Sequence, residues 1–139
     1  MNNKEKKIEI FLNRASSQKE PVFVIAQNNQ EAKEFQGIIE GAGFKQAKTV
    51  RDLMKKIKSV NRKFLLISQC DDLKDIYDFV VQYPTGQVEI YDKKSLTTEV
   101  LNPDYKNTSF VFLITKEDIK NSKENGYDFM SFAGLTYQV

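Results

Sequence analysis

With 139 residues, 40% of them hydrophobic, and a net charge of +2, the chain is sized for one domain with its own core, and its glycine and proline content is too low for a disordered segment. A single cysteine, Cys70, excludes a disulfide framework and points to a reducing, cytoplasmic setting. Histidine is absent, which removes Ser-His-Asp and Cys-His catalysis; neither a hydrolase, a metal site nor a bound cofactor is expected.

No apolar run reaches membrane-spanning length, and the start, Met1-Asn-Asn-Lys-Glu-Lys-Lys7, leads into no signal-peptide-like stretch. The charge is unevenly spread. Between Lys45 and Lys63 stand eight cations (Lys45, Lys48, Arg51, Lys55, Lys56, Lys58, Arg62 and Lys63) against one acid, Asp52, so that segment carries +7 and the remainder −5. Such a basic stretch serves either as a solvated helix face or as a footprint for phosphates or an acidic partner.

In chain order, residues 4–14 read as a helix with Ile8, Phe11 and Leu12 on one stripe. Residues 15–20 read as a polar connector, so that 1–20 is a leading helix and linker within the single domain 1–139. Pro21 opens a strand, and Val22–Ala26 is continuously apolar, as in a strand covered on both faces. Asn28 or Asn29 caps a helix whose buried face is Ala32, Phe35, Ile38, Ile39 and Ala42; Gly41 and Gly43 end it. Residues 46–50 are a weak strand, and 51–60 are a helix with Leu53, Met54, Ile57 and Val60 on one side and Lys55, Lys56 and Lys58 on the other. Lys63–Ser68 is a second buried strand.

Asp71–Tyr83 is ambiguous between a helix over Leu73, Ile76, Phe79 and Val80 and a strand over Tyr77–Tyr83. Val88–Tyr91 is a short strand, and 92–109 carries loop chemistry. Phe110–Thr115 is the third strong strand, Lys116 to Glu124 a helix stopped by Asn125-Gly126, and Leu135–Val139 a final strand. Strong strands alternating with helices predict an α/β domain, three layers deep, with a mainly parallel sheet and helices on both faces.

In such sheets ligands bind beyond the carboxyl ends of the strands. Gln27 and Asn28, Ser68 to Asp71, and Thr115 with Lys116 stand there. No Gly-x-Gly-x-x-Gly follows a strand and no Gly-x-x-x-x-Gly-Lys-Ser/Thr occurs, so a phosphate loop is not expected. Asp71-Asp72 reads as a helix cap rather than a Mg²⁺ site. Cys70 has no histidine partner to activate it, and the adjacent Asp71 and Asp72 disfavour its thiolate. Tyr77, Phe79, Tyr83 and Tyr91 have the spacing of core residues more than of base-stacking platforms.

Taken together, Lys6–Leu12, Glu20–Ala26 and Gln30–Gly43 resemble the start of the second RecA-like domain of DEAD-box and related superfamily-2 helicases. There a helix leads into the strand of motif IV, followed by a helix of the pattern x-x-Glu-Ala-x-x-Leu-x-x-x-Leu-x-x-x-Gly. Phe64–Ser68 is similar to the strand leading into motif V. Tyr77–Pro84 is similar to the strand just after it, and Thr108–Asp118 to the late strand after motif VI. The resemblance spans residues 6–120 in outline and implies a RecA-like fold.

Departures from the family are as informative. Ser68-Gln69 stand where motif V has Thr-Asp, and its Arg-Gly is missing; residues 90–101, at motif VI, hold neither arginine nor histidine. The arginine finger that stabilises γ-phosphate charge is therefore absent. The resemblance implies a degenerate half without ATPase chemistry, its companion domain outside this chain. It would bind single-stranded RNA, or a protein or neighbouring domain. RNA would lie across Gln27, Asn28, Ser68 and Gln69, with Lys55, Lys56, Lys58 and Arg62 on its phosphates. A second resemblance is to response-regulator receiver domains, with Gln27-Asn28 in place of the acidic pair and Ser68-Gln69 in place of the phosphorylated aspartate; it implies a non-phosphorylated protein-interaction module. The helicase resemblance requires a strand over 77–83, the receiver resemblance a helix over 72–82.

Overall fold

The computed structural model describes residues 3–18, 22–59, 64–67, 73–82, 87–101, 109–129, 131 and 136–138. Among the described residues, five helices and seven strands follow one another as α1 (Asn3–Gln18), β1 (Val22–Ala26), α2 (Asn29–Gly41), β2 (Lys45–Ala47), α3 (Val50–Ser59), β3 (Phe64–Ile67), α4 (Leu73–Gln82), β4 (Val88–Asp92), β5 (Thr97–Leu101), β6 (Phe110–Thr115), α5 (Lys116–Glu124) and β7 (Thr136–Gln138). Five strands form one parallel sheet in the order β2-β3-β6-β1-β7, and β4 pairs with β5 in a separate antiparallel hairpin. The fold is α/β, as the alternation of strands and helices predicts.

The distribution of helices follows from that order. From β1 to β2 the chain steps across the sheet in one direction; from β2 to β3, β3 to β6 and β6 to β7 it steps in the other. Parallel crossovers are almost always right-handed, so α2 falls on one face and α3, α4 and α5 on the opposite face. Alternation along the strands supplies a core for each. Val22, Val24 and Ala26 of β1 and Val111 and Leu113 of β6 pack with Ala32, Phe35 and Ile39 of α2. Phe23, Ile25, Phe112 and Ile114 face the other way, onto Leu53, Met54 and Ile57 of α3 and Ile76, Phe79 and Val80 of α4. One crossover helix cannot cover a face of this width. Helix α1 completes it by burying Ile8 and Leu12.

Several expectations are corrected. Residues 15–18 continue α1 rather than forming a connector. Residues 73–82 are helical, so the segment matched to a helicase strand over 77–83 is not a strand through Gln82. Its apolar residues recur at helical spacing, and Ile76, Phe79 and Val80 are all buried. Receiver domains share the flavodoxin-like strand order 2-1-3-4-5; here the first strand lies between the fourth and fifth of the sheet instead. Residues 97–101, expected as loop, form β5, whose threonine-rich segment pairs with β4 from Val88↔Leu101 to Asp92↔Thr97. Val60, Pro21, Cys70, Asp71, Asp72 and Tyr83 lie outside the described residues.

No described helix is long and apolar enough to cross a membrane. The role of α1 is open to direct test. Leu12→Ala should cost about 2–5 kcal/mol in denaturant unfolding, whereas Ile10→Ala, at a side chain 54% exposed on the same helix, should change stability by no more than about 0.5 kcal/mol.

Candidate functional site

Strands β1 and β6 are neighbours and end in register, Ala26 beside Thr115. The chain leaves β1 toward α2 on one face and β6 toward α5 on the other. The crevice between them is the topological switch point, where open α/β sheets place their ligands. Gln27 and Asn28 border it from β1, Thr115 and Lys116 from β6.

Both helix starts at this crevice are closed by the protein itself. Asn28 is the N-cap of α2: its Oδ1 accepts from the Glu31 N–H at 2.9 Å, and Glu31 Oε1 accepts from the Gln27 N–H at 2.9 Å. Thr115 caps α5 through a reciprocal pair, Asp118 N–H to Thr115 Oγ1 at 3.1 Å and Thr115 N–H to Asp118 Oδ2 at 3.2 Å. A helix N-terminus attracts anions because its first N–H groups lack partners and the dipole is positive there. Here Glu31, only 9% exposed, and Asp118 supply that negative charge from within the chain. The signal is present in the sequence as Asn28-x-x-Glu31 and Thr115-x-x-Asp118; the cap expected at Asn28 or Asn29 is Asn28, and the Thr115 cap and the closing roles of Glu31 and Asp118 emerge only from the structure.

The second concave feature lies at the start of α3, beside the hairpin. A cleft of about 380 Å³ is lined by Thr49, Arg51, Asp52, Lys55, Asp75, Asp92 and Lys94. Thr49 Oγ1 accepts from the Asp52 N–H at 3.0 Å, and Asp52 Oδ2 accepts from the Lys48 N–H at 3.1 Å, so the same reciprocal closure recurs. Arg51 reaches across to the hairpin. Its Nη1 donates to the Ile90 and Thr97 carbonyls at 3.2 and 3.3 Å, its Nη2 to Thr97 Oγ1 at 2.8 Å, and its Nε lies 4.0 Å from Asp92 Oδ2. Lys55 Nζ is 3.9 Å from Glu99. Lys56 Nζ pairs with Asp52 at 3.2 Å and donates to the Gln46 carbonyl at 3.2 Å.

The basic segment is thus partly an internal clasp on the hairpin. Apolar burial supplies most of the hold: Val88 and Ile90 are buried in the α3–α4 core, each worth about 1.5–3 kcal/mol, against about 0–1 kcal/mol for an exposed ion pair. The charged contacts fix orientation. At the far strand, Gln82 of α4 bonds both backbone groups of Glu89, donating to its carbonyl at 3.0 Å and accepting from its N–H at 2.8 Å.

Of the residues singled out from sequence, Gln27 and Asn28 stand exposed at the switch point, and Lys55 and Lys56 lie on α3 at the cleft and beside it. Lys58 belongs to α3. Ser68, Gln69 and Arg62 lie outside the described residues. Of the aromatic set, Phe79 is buried and Tyr77 packs on Tyr127 and Phe129, with ring centroids 5.5 and 5.8 Å apart, while Tyr91 is exposed. Among the described residues no group of three or more acidic, cysteine or histidine side chains is arranged to hold a metal.

Two carboxylates at the cleft titrate low. Partial burial pushes Asp52 up, but the Lys48 N–H and the Lys56 ammonium outweigh it and leave the group below the usual aspartate range. The Lys94 N–H, then the Ser95 hydroxyl and the Arg51 guanidinium, hold Asp92 below that range too. With folded values below unfolded ones, their stabilisation is complete above about pH 4 and disappears as pH falls through the depressed values. Asp52→Asn and Asp92→Asn should therefore melt below the parent at about pH 7 and converge with it toward about pH 3, as followed by circular dichroism. A gap of constant size across that range would contradict the assignment.

Compared with known proteins, the chain matches no protein-family model and no curated protein.

Proposed function

We propose that this chain is a catalytically inert, helicase-like binding module: a three-layer αβα domain of RecA-like type that holds single-stranded RNA in the cytoplasm as part of a larger RNA-processing protein, and one that departs from the helicase pattern in carrying helix α4, as far as Gln82, where that resemblance requires a strand over 77–83. The observation that carries the reading is the closure of α2 and α5 by Glu31 and Asp118. Negative charge stands where a nucleotide's phosphates would sit in such a sheet, which argues against nucleotide hydrolysis and directs phosphate binding elsewhere. The missing motif V and motif VI residues point the same way.

Support for a phosphate contact comes from the edge of the sheet. Lys45 and Lys48 are exposed, and the Lys55 side chain keeps 62% of its surface despite its contact with Glu99. Lys56, Lys58 and Arg62 extend this basic edge in sequence. Gln27 and Asn28 present neutral polar groups nearer the strand ends, with Ser68 and Gln69 proposed beside them. Phosphate contacts of this kind position a strand without reading its sequence.

A second reading, a protein-interaction module, draws on the internal pairing of Arg51, Lys55 and Lys56, which diminishes the field available to RNA. An affinity capture repeated after RNase treatment separates the two: partners released by RNase favour RNA, and partners retained favour direct protein contact.

Reversing Lys55 and Lys56 would also disturb their intramolecular partners, so Lys45→Glu/Lys48→Glu is the cleaner probe. It should weaken binding of a single-stranded RNA oligomer and make the dependence of log affinity on log salt shallower by about 1.4, the equivalent of two phosphate contacts. Binding that is absent in the parent, or indifferent to salt, would overturn the RNA reading.

A further inference from the structure

We propose that the β4–β5 hairpin carries a base-stacking site for single-stranded nucleic acid, with Tyr91 as the platform and Lys93 and Lys94 as phosphate contacts. The proposal extends the RNA reading to a part of the fold that lies outside the sheet, and rests on that reading for its ligand class.

Alternation along β4 sends Val88 and Ile90 inward and Glu89 and Tyr91 outward. Tyr91 is 53% exposed, and its cross-strand neighbour is Thr98, exposed as well. A large ring in this position contributes little to the core. Every nucleobase has a flat face that such a ring can stack on, whatever the sequence.

The support beneath the ring is firm. The Arg51 contacts hold the hairpin to α3, Gln82 holds β4 to α4, and two buried side chains anchor it. The turn after Tyr91 is also fixed: Asp92 accepts from the Lys94 N–H at 3.0 Å and from Ser95 Oγ at 2.9 Å, and the Ser95 and Thr97 hydroxyls are 2.6 Å apart. Leu96 closes the turn at φ +55°, a conformation that is costly for a leucine, while 75% exposed. Lys93 and Lys94 are therefore displayed from a pre-shaped turn directly following the ring, and both are exposed.

The two exposed lysines after the ring are the groups offered to phosphate. Of the acids nearby, Asp92 is committed to the turn and to Arg51, Glu99 lies against Lys55 and Asp52 pairs with Lys56, while Glu89 faces outward and Asp75 lines the cleft with Lys94. Lys94 lines the same cleft as Lys55, so a strand held along the β2–α3 edge meets the hairpin next. Alternating phosphate contacts and an aromatic platform are the recurrent means of holding a single strand without reading its sequence.

The test titrates a fluorescein-labelled oligouridylate of about 12 nucleotides by anisotropy, with inorganic polyphosphate as a base-free competitor. Tyr91→Leu should weaken oligouridylate binding at least fivefold or so, while Tyr91→Phe, which keeps the ring, should stay within about twofold. Polyphosphate affinity should be unchanged in Tyr91→Leu and reduced in Lys93→Glu/Lys94→Glu. Thermal melts matching the parent confirm folding of these surface variants. Parent-like binding by Tyr91→Leu, or equal weakening by Tyr91→Leu and Tyr91→Phe, overturns the stacking site and leaves the RNA reading standing. Parent-like binding by the double lysine variant overturns the phosphate contacts. No binding by the parent chain takes down both readings together.

Discussion

The handedness of the connections around β1 governs this molecule. The strand is buried along its whole length between β6 and β7. The chain leaves it in one direction and makes every later crossover in the other. Right-handed connection then distributes the helices without further choice. It also leaves α2 alone among crossover helices on its face, which is why the leading helix α1 is part of the core rather than an appendage. The same reversal opens a crevice at the ends of β1 and β6.

What fills that crevice sets the chemistry. In nucleotide-binding α/β proteins, bare helix N-termini face the ligand. Here Glu31 and Asp118 fold back onto the backbone N–H groups preceding their own helices, and Asp52 does the same at α3. Carboxylates at these points are stabilising for the helices and repulsive to phosphate. Exposed lysine side chains stand at the sheet edge, on Lys45 and Lys48, and in the hairpin turn, on Lys93 and Lys94.

Legibility in the sequence varied with the range of the interaction. The strands at 22–26, 64–67 and 110–115 were visible because Val22–Ala26, Phe64–Ile67 and Phe110–Ile114 are unbroken apolar runs, the pattern of strands in a parallel sheet. The ends of α2 and α5 were visible through Gly43 and Gly126, both at positive φ. Residues 97–101 were not, because Thr97, Thr98 and Glu99 become a strand by pairing with β4 and by packing on α3. The segment 73–82 had two readings until its apolar residues met the α3 side of the sheet. Lys55 and Lys56 were seen as a basic face. The Lys56 partner, Asp52, stands four residues away on the same helix and was open to local reading, whereas Glu99 lies 44 residues from Lys55, and no local pattern announces that contact.

The sequence by itself determined the class of this protein: an α/β domain with a core on each side of a parallel sheet, without histidine and without a phosphate loop. Those properties depend on composition and on patterns repeating over a few residues. Tertiary structure alone decided that β1 would lie beside β6, that the basic helix would clasp an acidic hairpin, and that Tyr91, which shares the core-like spacing of Tyr77 and Phe79, would face outward. Each of these depends on which distant elements share a surface, and that is settled by burial and crossover handedness acting on the whole chain.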